Sequence, residues 1–202
     1  MIPAIVLAAG ASTRMGRPKA LLDAGGKTFI RRILDTLSDA GVSRVAVVIR
    51  PADPAVTAAV VASGFAQPVV NPQPDQGQLS SLLAGLTAID EPGVDAALVM
   101  LVDVPLITSA TVRTLIARAA LSSATILRAV HDGRHGHPVV FKRHVFDALR
   151  SADLSVGAKA VMRAYGVEDV EVPDPGIARD VDTPEDYASL VFPAAARDPR
   201  PY

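Results

Sequence analysis

The stretch AIVLAAGASTRMGRPK, residues 4–19, joins an apolar run to a loop of small residues and cations. The run Ala4–Ala8 predicts a buried strand. The turn Ala8–Ser12 follows it without bulky side chains, so that its backbone N–H groups can point at a ligand. Arg14 and Lys19 then add two positive charges within reach of that turn. Together these features predict a polyphosphate-binding loop at the end of the first strand.

Two familiar phosphate loops fail on spacing. A Walker A loop needs four residues between its glycines and then Lys-Ser/Thr, whereas five residues separate Gly10 from Gly16 and Arg17-Pro18 follows. The dinucleotide fingerprint G-x-G-x-x-G also fails, because Gly10 is followed by Ala11 and Ser12 with no second glycine. The second failure disfavours a redox enzyme.

Short apolar runs and helix-period segments alternate along most of the chain. Further strands are predicted at RVAVVI (44–49), PVVN (68–71) and AALVMLV (96–102), each apolar nearly throughout, as strands covered on both faces are. The first helical segment between them has a single apolar face, made by Phe29, Ile30, Ile33, Leu34 and Leu37. This alternation predicts an α/β fold with a mostly parallel Rossmann-like sheet and helices on both faces.

The last third of the chain departs from that alternation. ATILRAV (124–130) and HPVVF (137–141) predict two strands separated by the polar loop HDGRHG, a hairpin-like addition to the parallel sheet. A short strand at 170–172 and a helix at 184–192 are predicted to follow.

Composition limits the classes of protein and partner. The 202 residues, half of them apolar, predict one domain over 1–192 and a flexible tail over 193–202, which holds three prolines in ten residues. The absence of cysteine excludes disulfides, thiolate metal sites and a cysteine nucleophile. A net charge of -1 without a long run of either sign indicates no nucleic-acid partner and no membrane anchor. Because the apolar start has no basic residues before it, we expect a cytoplasmic protein and no secretory signal.

Two acids are candidate metal ligands. Asp103 ends the fourth predicted strand, and ligands of open parallel sheets bind outside the carboxyl ends of strands. A carboxylate there suits Mg²⁺, which takes one or two carboxylates together with substrate phosphates. Ser109 is predicted to cap the next helix, which leaves Asp103 for the metal. In DVDTPEDY, Thr183 and Asp186 have the spacing of a helix cap, so that the acids before the cap, Asp180 and Asp182, remain free.

Two polar segments admit both structural and binding roles. In NPQPDQGQLSSLLAGL, Gly77 permits close backbone approach, and Ser80 and Ser81 can cap a helix or bond a base or ribose edge. In HDGRHGHPVV, three histidines invite a zinc hypothesis. We disfavour zinc there, because His135 and His137 are only two residues apart and no cysteine assists them.

Five motifs in order carry a family resemblance: LAAGASTRMGRPK, NPQPDQGQLSSLLAGL, LVDVPLI, GHPVVF and DVDTPEDY. The chain resembles the MobA/MocA-like NTP transferase family, which includes the molybdenum cofactor cytidylyltransferases and guanylyltransferases. The resemblance implies a glycosyltransferase-A-like nucleotidyltransferase fold. The LAAG form resembles the cytidylyl enzymes, whereas the guanylyl enzymes tend to carry LAGG, so Ala9 favours CTP.

The resemblance also implies roles for individual residues. The expected nucleotide-binding residues are Leu7, Ala8, Ala9, Gly10, Arg14, Lys19, Asn71, Gly77, Ser81 and Asp103. The expected catalytic residues are Arg14, Lys19 and Asp103. The second metal carboxylate corresponds to Asp182, with Mg²⁺ or Mn²⁺ as the cofactor. The motif GHPVVF would bring Gly136, His137 and Pro138 near the second substrate.

The expected reaction is transfer of CMP from CTP to a phosphate-bearing acceptor, with release of pyrophosphate. Molybdopterin is the first candidate acceptor, and a molybdoenzyme or a chaperone would receive the product. An acceptor phosphate is already a nucleophile, so the protein needs to supply positioning and charge neutralisation. Other acceptors remain open, namely sugar 1-phosphates, 2-phospholactate or methylerythritol phosphate, as does use of GTP. A non-catalytic nucleotide-binding module is the alternative from a different class.

Overall fold

Seven strands form one sheet with helices on both faces in the computed structural model, which describes residues 1–12 and 15–190. The strands are β1 (Ala4–Leu7), β2 (Val45–Ile49), β3 (Ala66–Val70), β4 (Ala96–Leu101), β5 (Ile126–His131), β6 (Arg134–Lys142) and β7 (Glu168–Glu171). The α-helices are α1 (Phe29–Asp39), α2 (Pro54–Val61), α3 (Gln78–Ile89), α4 (Ser109–Leu121), α5 (Phe146–Arg150), α6 (Ala158–Tyr165) and α7 (Pro184–Ala188). The predicted α/β class is confirmed.

The order of the strands creates a crevice between β1 and β4. Across the sheet the order is β3-β2-β1-β4-β6-β5-β7. Strand β1 pairs in parallel with both β2 and β4, so the chain moves outward in opposite directions from this point. Ligands of open α/β sheets bind outside the carboxyl ends of the strands at such a reversal. Strand β6 runs antiparallel to its neighbours β4 and β5.

Two apolar layers cover the sheet. Helices α1, α2 and α4 pack on one face, and α3, α5 and α6 pack on the other. The predicted apolar face of α1 is confirmed, because all five of its residues are buried. Helix α3 lies close to β1 because Gly85 has no side chain: a Cβ there would lie 2.4 Å from Cγ2 of Ile5.

The helix ends follow local capping chemistry with one correction. The side chain of Thr183 accepts a hydrogen bond from the amide of Asp186, and the Asp186 carboxylate accepts one from the amide of Thr183. The capping arrangement predicted for α7 is therefore confirmed. The expectation that Ser109 caps α4 is wrong. Thr108 is the N-cap, since its hydroxyl accepts from the amide of Thr111, and Ser109 is the first helical residue.

Three boundaries differ from the sequence prediction. Strand β3 is an edge strand with partly exposed residues, so it is not covered on both faces. The predicted six-residue polar loop is a two-residue turn, Asp132-Gly133, because His131 pairs with Arg134. Helix α7 ends at Ala188. The predicted tail over 193–202 lies outside the described residues, among which no helix combines the length and apolarity that crossing a membrane requires.

Candidate active site

The loop after β1 presents free backbone donors at the β1–β4 crevice. Within the described part of the chain, the amides of Ala9, Gly10 and Ala11 have no hydrogen-bond acceptor. The amide of Ala8 is different, because it donates to the carbonyl of Val48 at 2.8 Å and so continues the sheet. The free donors therefore begin one residue later than the sequence predicts. This arrangement suits an anion such as a phosphate.

A cleft of about 460 Å³, which we call the first cleft, lies against this loop. Its walls are Leu7, Ala9, Gly10, Ala11, Ser12, Lys19, Pro74, Gly77, Gln78, Ser81, Leu101, Val102, Asp103 and Asp182. Most of the sequence-predicted nucleotide residues meet here, together with both predicted metal carboxylates. Ala8 and Asn71 are absent from its walls, and Arg14 lies outside the described residues.

Three charged side chains converge in the first cleft. Lys19 Nζ lies 2.5 Å from Asp182 Oδ1 and 3.7 Å from Asp103 Oδ2. The backbone amide of Val181 donates to the carbonyl of Asp103 at 2.9 Å, which places the segment before α7 alongside the end of β4. The carboxylate of Asp180 also acts on Asp103 electrostatically. Residues from three distant parts of the sequence thus form one charged cluster.

Burial dominates the electrostatics of Asp103. Loss of water raises the pKa of its carboxyl above the ordinary value, Lys19 opposes that rise, and the carboxylates of Asp180 and Asp182 add to it. Its Oδ1 atom is buried and has no hydrogen-bond partner within the described chain. A buried carboxylate oxygen without a partner is costly and calls for a cation or a donor.

The residues around Asp103 fit a hard divalent cation. The donor set is oxygen-only, with Asp103 and Asp182 in the first cleft and Asp180 nearby. Mg²⁺ and Mn²⁺ favour carboxylate oxygens and complete their coordination with substrate phosphates and water. The buried Oδ1 of Asp103, which has no partner within the described chain, is an oxygen that such a cation would satisfy.

A segment that we call the strap, residues 174–182, carries two of these acids to the site. Its start is fixed by the buried carboxylate of Asp174, which accepts from Thr108 N at 2.9 Å, Thr108 Oγ1 at 2.9 Å and Thr111 Oγ1 at 2.6 Å. The amide of Gly176 donates to the same side chain at 3.0 Å. Sequence reasoning missed Asp174, although a carboxylate between Pro173 and Pro175 is a signal of a turn.

Because Gly136 has no side chain, the strap can pass close to β6. A Cβ at this position would lie 2.1 Å from the carbonyl oxygen of Ile177, so only glycine lets the strap pass this close to β6. The sequence assigned Gly136, His137 and Pro138 to the second substrate. The structure gives the glycine a packing role, and Pro138 is buried in β6 away from any cleft wall.

Asn71 supports the first cleft from behind. It is 2% exposed, and its amide nitrogen donates to Ser80 Oγ at 2.9 Å and to Ser81 Oγ at 3.0 Å. Ser80 in turn donates to backbone carbonyls of the loop before α3. Neither serine caps α3, whose N-cap is Gly77. Ser81 lines the cleft, and its hydroxyl donates to no acceptor among the described residues, whereas the contacts of Asn71 are structural.

Arg50, which sequence reasoning also missed, braces the loop after β1. Its guanidinium donates to the carbonyl of Ala9 at 3.1 Å and pairs with Asp75 at 2.9 Å. It therefore links the loop to the segment before α3. The sequence feature that could have identified Arg50 is its position directly after β2, at the same edge of the sheet as the cleft.

A larger second cleft of about 1000 Å³ adjoins the first, and they share Leu7, Gly77, Gln78 and Leu101. Gly136 and His137 line it. His137 Nδ1 lies 3.2 Å from the carbonyl oxygen of Val99, which makes Nδ1 the protonated nitrogen of the neutral ring. Burial lowers the pKa of His137, although that hydrogen bond and Asp180 oppose the shift.

The three histidines of the predicted hairpin do not meet. His135 Nε2 lies 3.3 Å from Asp169 Oδ2, and His137 lines the second cleft. His131 bonds the carbonyl of Val172 and lies beside Asp132 and Glu171 on the exposed end of the hairpin.

Residues 4–170 match the MobA-like NTP transferase domain. The chain belongs to the MobA-like NTP transferase family. The family resemblance and the nucleotidyltransferase fold expected from the five motifs are thereby confirmed.

Proteins similar to this chain carry several names. Nicotine blue oxidoreductase of Paenarthrobacter nicotinovorans is 33% identical and aligns over 94% of this chain and 96% of its own length. A molybdenum cofactor guanylyltransferase of Rhizobium meliloti is 33% identical over 68% of this chain and 61% of its own. The bifunctional protein GlmU of Acidithiobacillus ferrooxidans is 34% identical over 66% of this chain, which spans only 29% of that protein.

A solved structure matches the MobA-like chain over nearly its whole length. Rv0371c from Mycobacterium tuberculosis, in complex with manganese, has a TM-score of 0.76 and 31% identity. The match covers 93% of this chain and 96% of that one.

Proposed function

We propose that this chain transfers CMP from CTP to a phosphate-bearing acceptor, with molybdopterin as the first candidate, and releases pyrophosphate. The observation that carries the proposal is the meeting of Lys19, Asp103 and Asp182 beside the free amides of the loop after β1. Donors for phosphate and carboxylates for a metal are what nucleotidyl transfer needs, because such transfer depends on positioning and charge neutralisation.

The loop and its cations would bind the triphosphate. The amides of Ala9, Gly10 and Ala11 are free to donate to phosphate oxygens, and Gly10 leaves open space above the backbone. Lys19 would leave its carboxylate partners for the departing pyrophosphate, and Arg14 is assigned to the same task. Leu7 would pack beneath the nucleotide. Ala8 is removed from the proposed site, because its amide belongs to the sheet.

Asp103 and Asp182 would hold Mg²⁺, or Mn²⁺ in its place, with Asp180 as a neighbouring carboxylate. The buried, unpartnered Oδ1 of Asp103 supports this assignment, and so does the manganese complex of the relative Rv0371c. A divalent cation at this position would neutralise charge on the α-phosphate and orient it. No nucleophilic side chain is required, since the acceptor phosphate attacks directly.

Ser81 and Ala9 would select the base. Ser81 is buried at the wall of the first cleft and retains a hydroxyl hydrogen for a base acceptor atom. Gly77 allows the base or ribose to approach the backbone before α3. Ala9 is the residue at which the LAAG loop resembles the cytidylyl enzymes. Asn71 is reassigned from contacting the nucleotide to holding Ser81.

The second cleft would receive the acceptor beside the α-phosphate. It shares a wall with the first cleft, and Gly136 and His137 line it. Molybdopterin is favoured by the resemblance and by the relative named molybdenum cofactor guanylyltransferase. A molybdoenzyme or its chaperone would then take the product.

Pyrophosphate release tests the proposal. Each of the four common NTPs is mixed with Mg²⁺ and one phosphorylated acceptor: molybdopterin, a sugar 1-phosphate, 2-phospholactate or methylerythritol phosphate. We expect release only when CTP and molybdopterin are present together, and a loss of at least about 100-fold in Asp103→Asn. Release with GTP instead of CTP would contradict the assignment of the donor. Release with a sugar phosphate but not with molybdopterin would contradict the assignment of the acceptor. Tight Mg·CTP binding without release with any acceptor would favour the non-catalytic module.

The proposed role of Ser81 in selecting the base can be tested with one variant and a matched control. Ser81→Ala removes the free hydroxyl in the first cleft, and we expect KM for CTP to rise about fivefold, as one lost neutral hydrogen bond allows. Ser80→Ala removes a hydroxyl that bonds only within the protein, so KM for CTP should stay unchanged while stability falls. Equal effects on KM would contradict the assignment of Ser81.

A second candidate function rests on one relative. Nicotine blue oxidoreductase aligns with this chain over 96% of its own length, more completely than the transferase named above. The loop after β1 lacks the glycine spacing of a dinucleotide fold. Titration with NADH and NADPH, followed by fluorescence, separates the two candidates: tight binding of either one, without pyrophosphate release from any NTP, would favour the oxidoreductase.

A further inference from the structure

Two cations of α6 line the second cleft and have no ion-pair partner among the described residues. Lys159 and Arg163 are one helical turn apart, both are exposed, and both belong to the cleft wall. Within the residues that the structure describes, neither forms an ion pair or a side-chain hydrogen bond. We call this pair the α6 rim. Neither residue lines the first cleft, so binding of the triphosphate there does not explain why two cations lie at this position.

The other basic groups of the second cleft that carry an ion-pair partner share one carboxylate. Arg128 pairs with Asp169 at 2.8 Å, and His135 lies 3.3 Å from the same carboxylate. Asp180, an acid on the cleft wall, repels the carboxylate of Asp103 beside the first cleft. Among the described residues no carboxylate lies within ion-pair distance of Lys159 or Arg163, so the α6 rim keeps two unpaired positive charges.

The surface next to the α6 rim is apolar. The cleft wall contains Leu82, Phe141, Leu154 and Met162, and Met162 lies between the two cations along α6. A cleft of about 1000 Å³ is large for a sugar phosphate alone, since ligand sites of about 300–1000 Å³ bury drug-sized molecules.

We propose that Lys159 and Arg163 bind a negatively charged group of the acceptor, whose flat ring face packs on Leu82, Phe141 and Met162. The inference rests on the proposed function, in which the second cleft holds the acceptor, and it adds the residues that select for charge. The two cations act together as specificity determinants, because their side chains reach the same rim and a single anion can pair with both.

A pair of fluorescent probes that differ only in charge tests the α6 rim. 8-Anilinonaphthalene-1-sulfonate is an apolar ring system with one sulfonate, and N-phenyl-1-naphthylamine is its uncharged counterpart. Dissociation constants of both are measured for the wild type, for Lys159→Gln/Arg163→Gln, and for Lys27→Gln/Arg31→Gln. The last variant removes the same charge from exposed residues that pair with Asp35 on α1.

We expect the sulfonate probe to bind the α6 rim variant about tenfold more weakly than the wild type, as the loss of two exposed charge contacts allows. Binding of the uncharged probe should stay unchanged, and so should both constants in the α1 control. An unchanged affinity for the sulfonate, or an equal loss for both probes, would overturn the proposal. Circular dichroism confirms that each variant is folded.

Failure of the α6 rim is distinguishable from failure of the transferase. Once an acceptor is found by pyrophosphate release, the α6 rim variant should raise KM for that acceptor about tenfold, with kcat and KM for CTP unchanged. If the α6 rim variant releases pyrophosphate with the same KM for the acceptor as the wild type, the transferase proposal stands and the proposal for the α6 rim is wrong. Charge-selective probe binding without pyrophosphate release would retain the rim as an anion site and overturn the transferase.

Discussion

Lys19 Nζ lies 2.5 Å from Asp182 Oδ1, an ion pair between residues 163 positions apart. The pair joins the loop after β1 to the strap at the mouth of the β1–β4 crevice. The lysine also lies 3.7 Å from Asp103, so one ammonium group faces both proposed metal carboxylates. A divalent cation bound at the proposed site would therefore compete with Lys19 for the same carboxylates.

Lys19→Met should bind Mn²⁺ more tightly than the wild type when no nucleotide is present. Removal of one positive charge beside two carboxylates should lower the dissociation constant about tenfold, measured by electron paramagnetic resonance or calorimetry. Pyrophosphate release should fall at least about 100-fold, because the charge on the leaving group loses its partner. Lys27→Met, which removes an exposed ammonium paired with Asp35, serves as the control. Weaker Mn²⁺ binding in Lys19→Met would contradict the competition.

Asp103→Asn should stabilise the fold at neutral pH. Burial raises the pKa of Asp103 above the ordinary value of 3.8, so the folded protein holds the charged form at a cost. The wild type therefore loses stability relative to Asp103→Asn as pH rises through the raised pKa, and the two should converge below about pH 3.8. Melting curves resolve the difference, since 1 kcal/mol shifts Tm by about 2–4 °C in a chain of this length.

Asp186→Asn should change stability at neutral pH in the direction opposite to Asp103→Asn. Hydrogen bonds from the side chain and amide of Thr183, and from the amide of Asp182, lower the pKa of Asp186. This carboxylate therefore stabilises the fold above pH 3.8, and its contribution is lost as pH falls through the lowered pKa. The amide variant should melt below the wild type at pH 7 and approach it in acid. The same sign for both variants would contradict the electrostatic account of Asp103.

Asp174→Asn should loosen the strap. Three donors converge on Asp174 Oδ2, and an amide cannot accept at both of its ends. The expected cost is about 2 kcal/mol, or about 4–8 °C in Tm. Mn²⁺ affinity should fall as well, because the strap carries Asp182. Asp147→Asn removes an equal charge from an exposed position on α5 and should change neither quantity. A normal Mn²⁺ affinity in Asp174→Asn would show that the strap does not position the carboxylates.

Gly10→Ala and Gly136→Ala should fail in different ways. A Cβ on Gly10 meets none of the described residues within 4 Å, so the variant should fold normally but raise KM for CTP several-fold by filling space above the loop. A Cβ on Gly136 would lie 2.1 Å from the carbonyl of Ile177, so this variant should melt lower and bind Mn²⁺ more weakly. Thermal unfolding and calorimetry separate the two effects, and a normal Tm in Gly136→Ala would contradict the close approach.

Local patterns in the sequence predicted what local physics determines. The apolar face of α1 and the cap of α7 depend on residues within one or two turns, so their spacing predicted them. The placement of Asp103 and Lys19 at one edge followed from the rule that parallel strands end together. These inferences needed no knowledge of which segments pack against each other.

Contacts between residues far apart in the sequence could not be predicted from local patterns. Asp174 is bonded to Thr108, 66 residues away, and no pattern near either residue specifies that partner. Asn71 was assigned to the nucleotide through the family resemblance of its segment, yet its side chain turns inward to the serines of α3. Gly136 was assigned to the acceptor, whereas its tightest constraint is a backbone on another segment.

The two adjoining clefts draw most of their walls from different parts of the chain. The first uses the loops after β1 and β4 and the start of α3, whereas the second uses β6, α6 and the segment before α6. Mutations that reshape one wall therefore leave most of the other untouched. If the clefts have the proposed roles, such a division would let evolution exchange the recipient molecule while the donor machinery is inherited unchanged, and the region around β6 and α6 would be the natural segment to swap between paralogues.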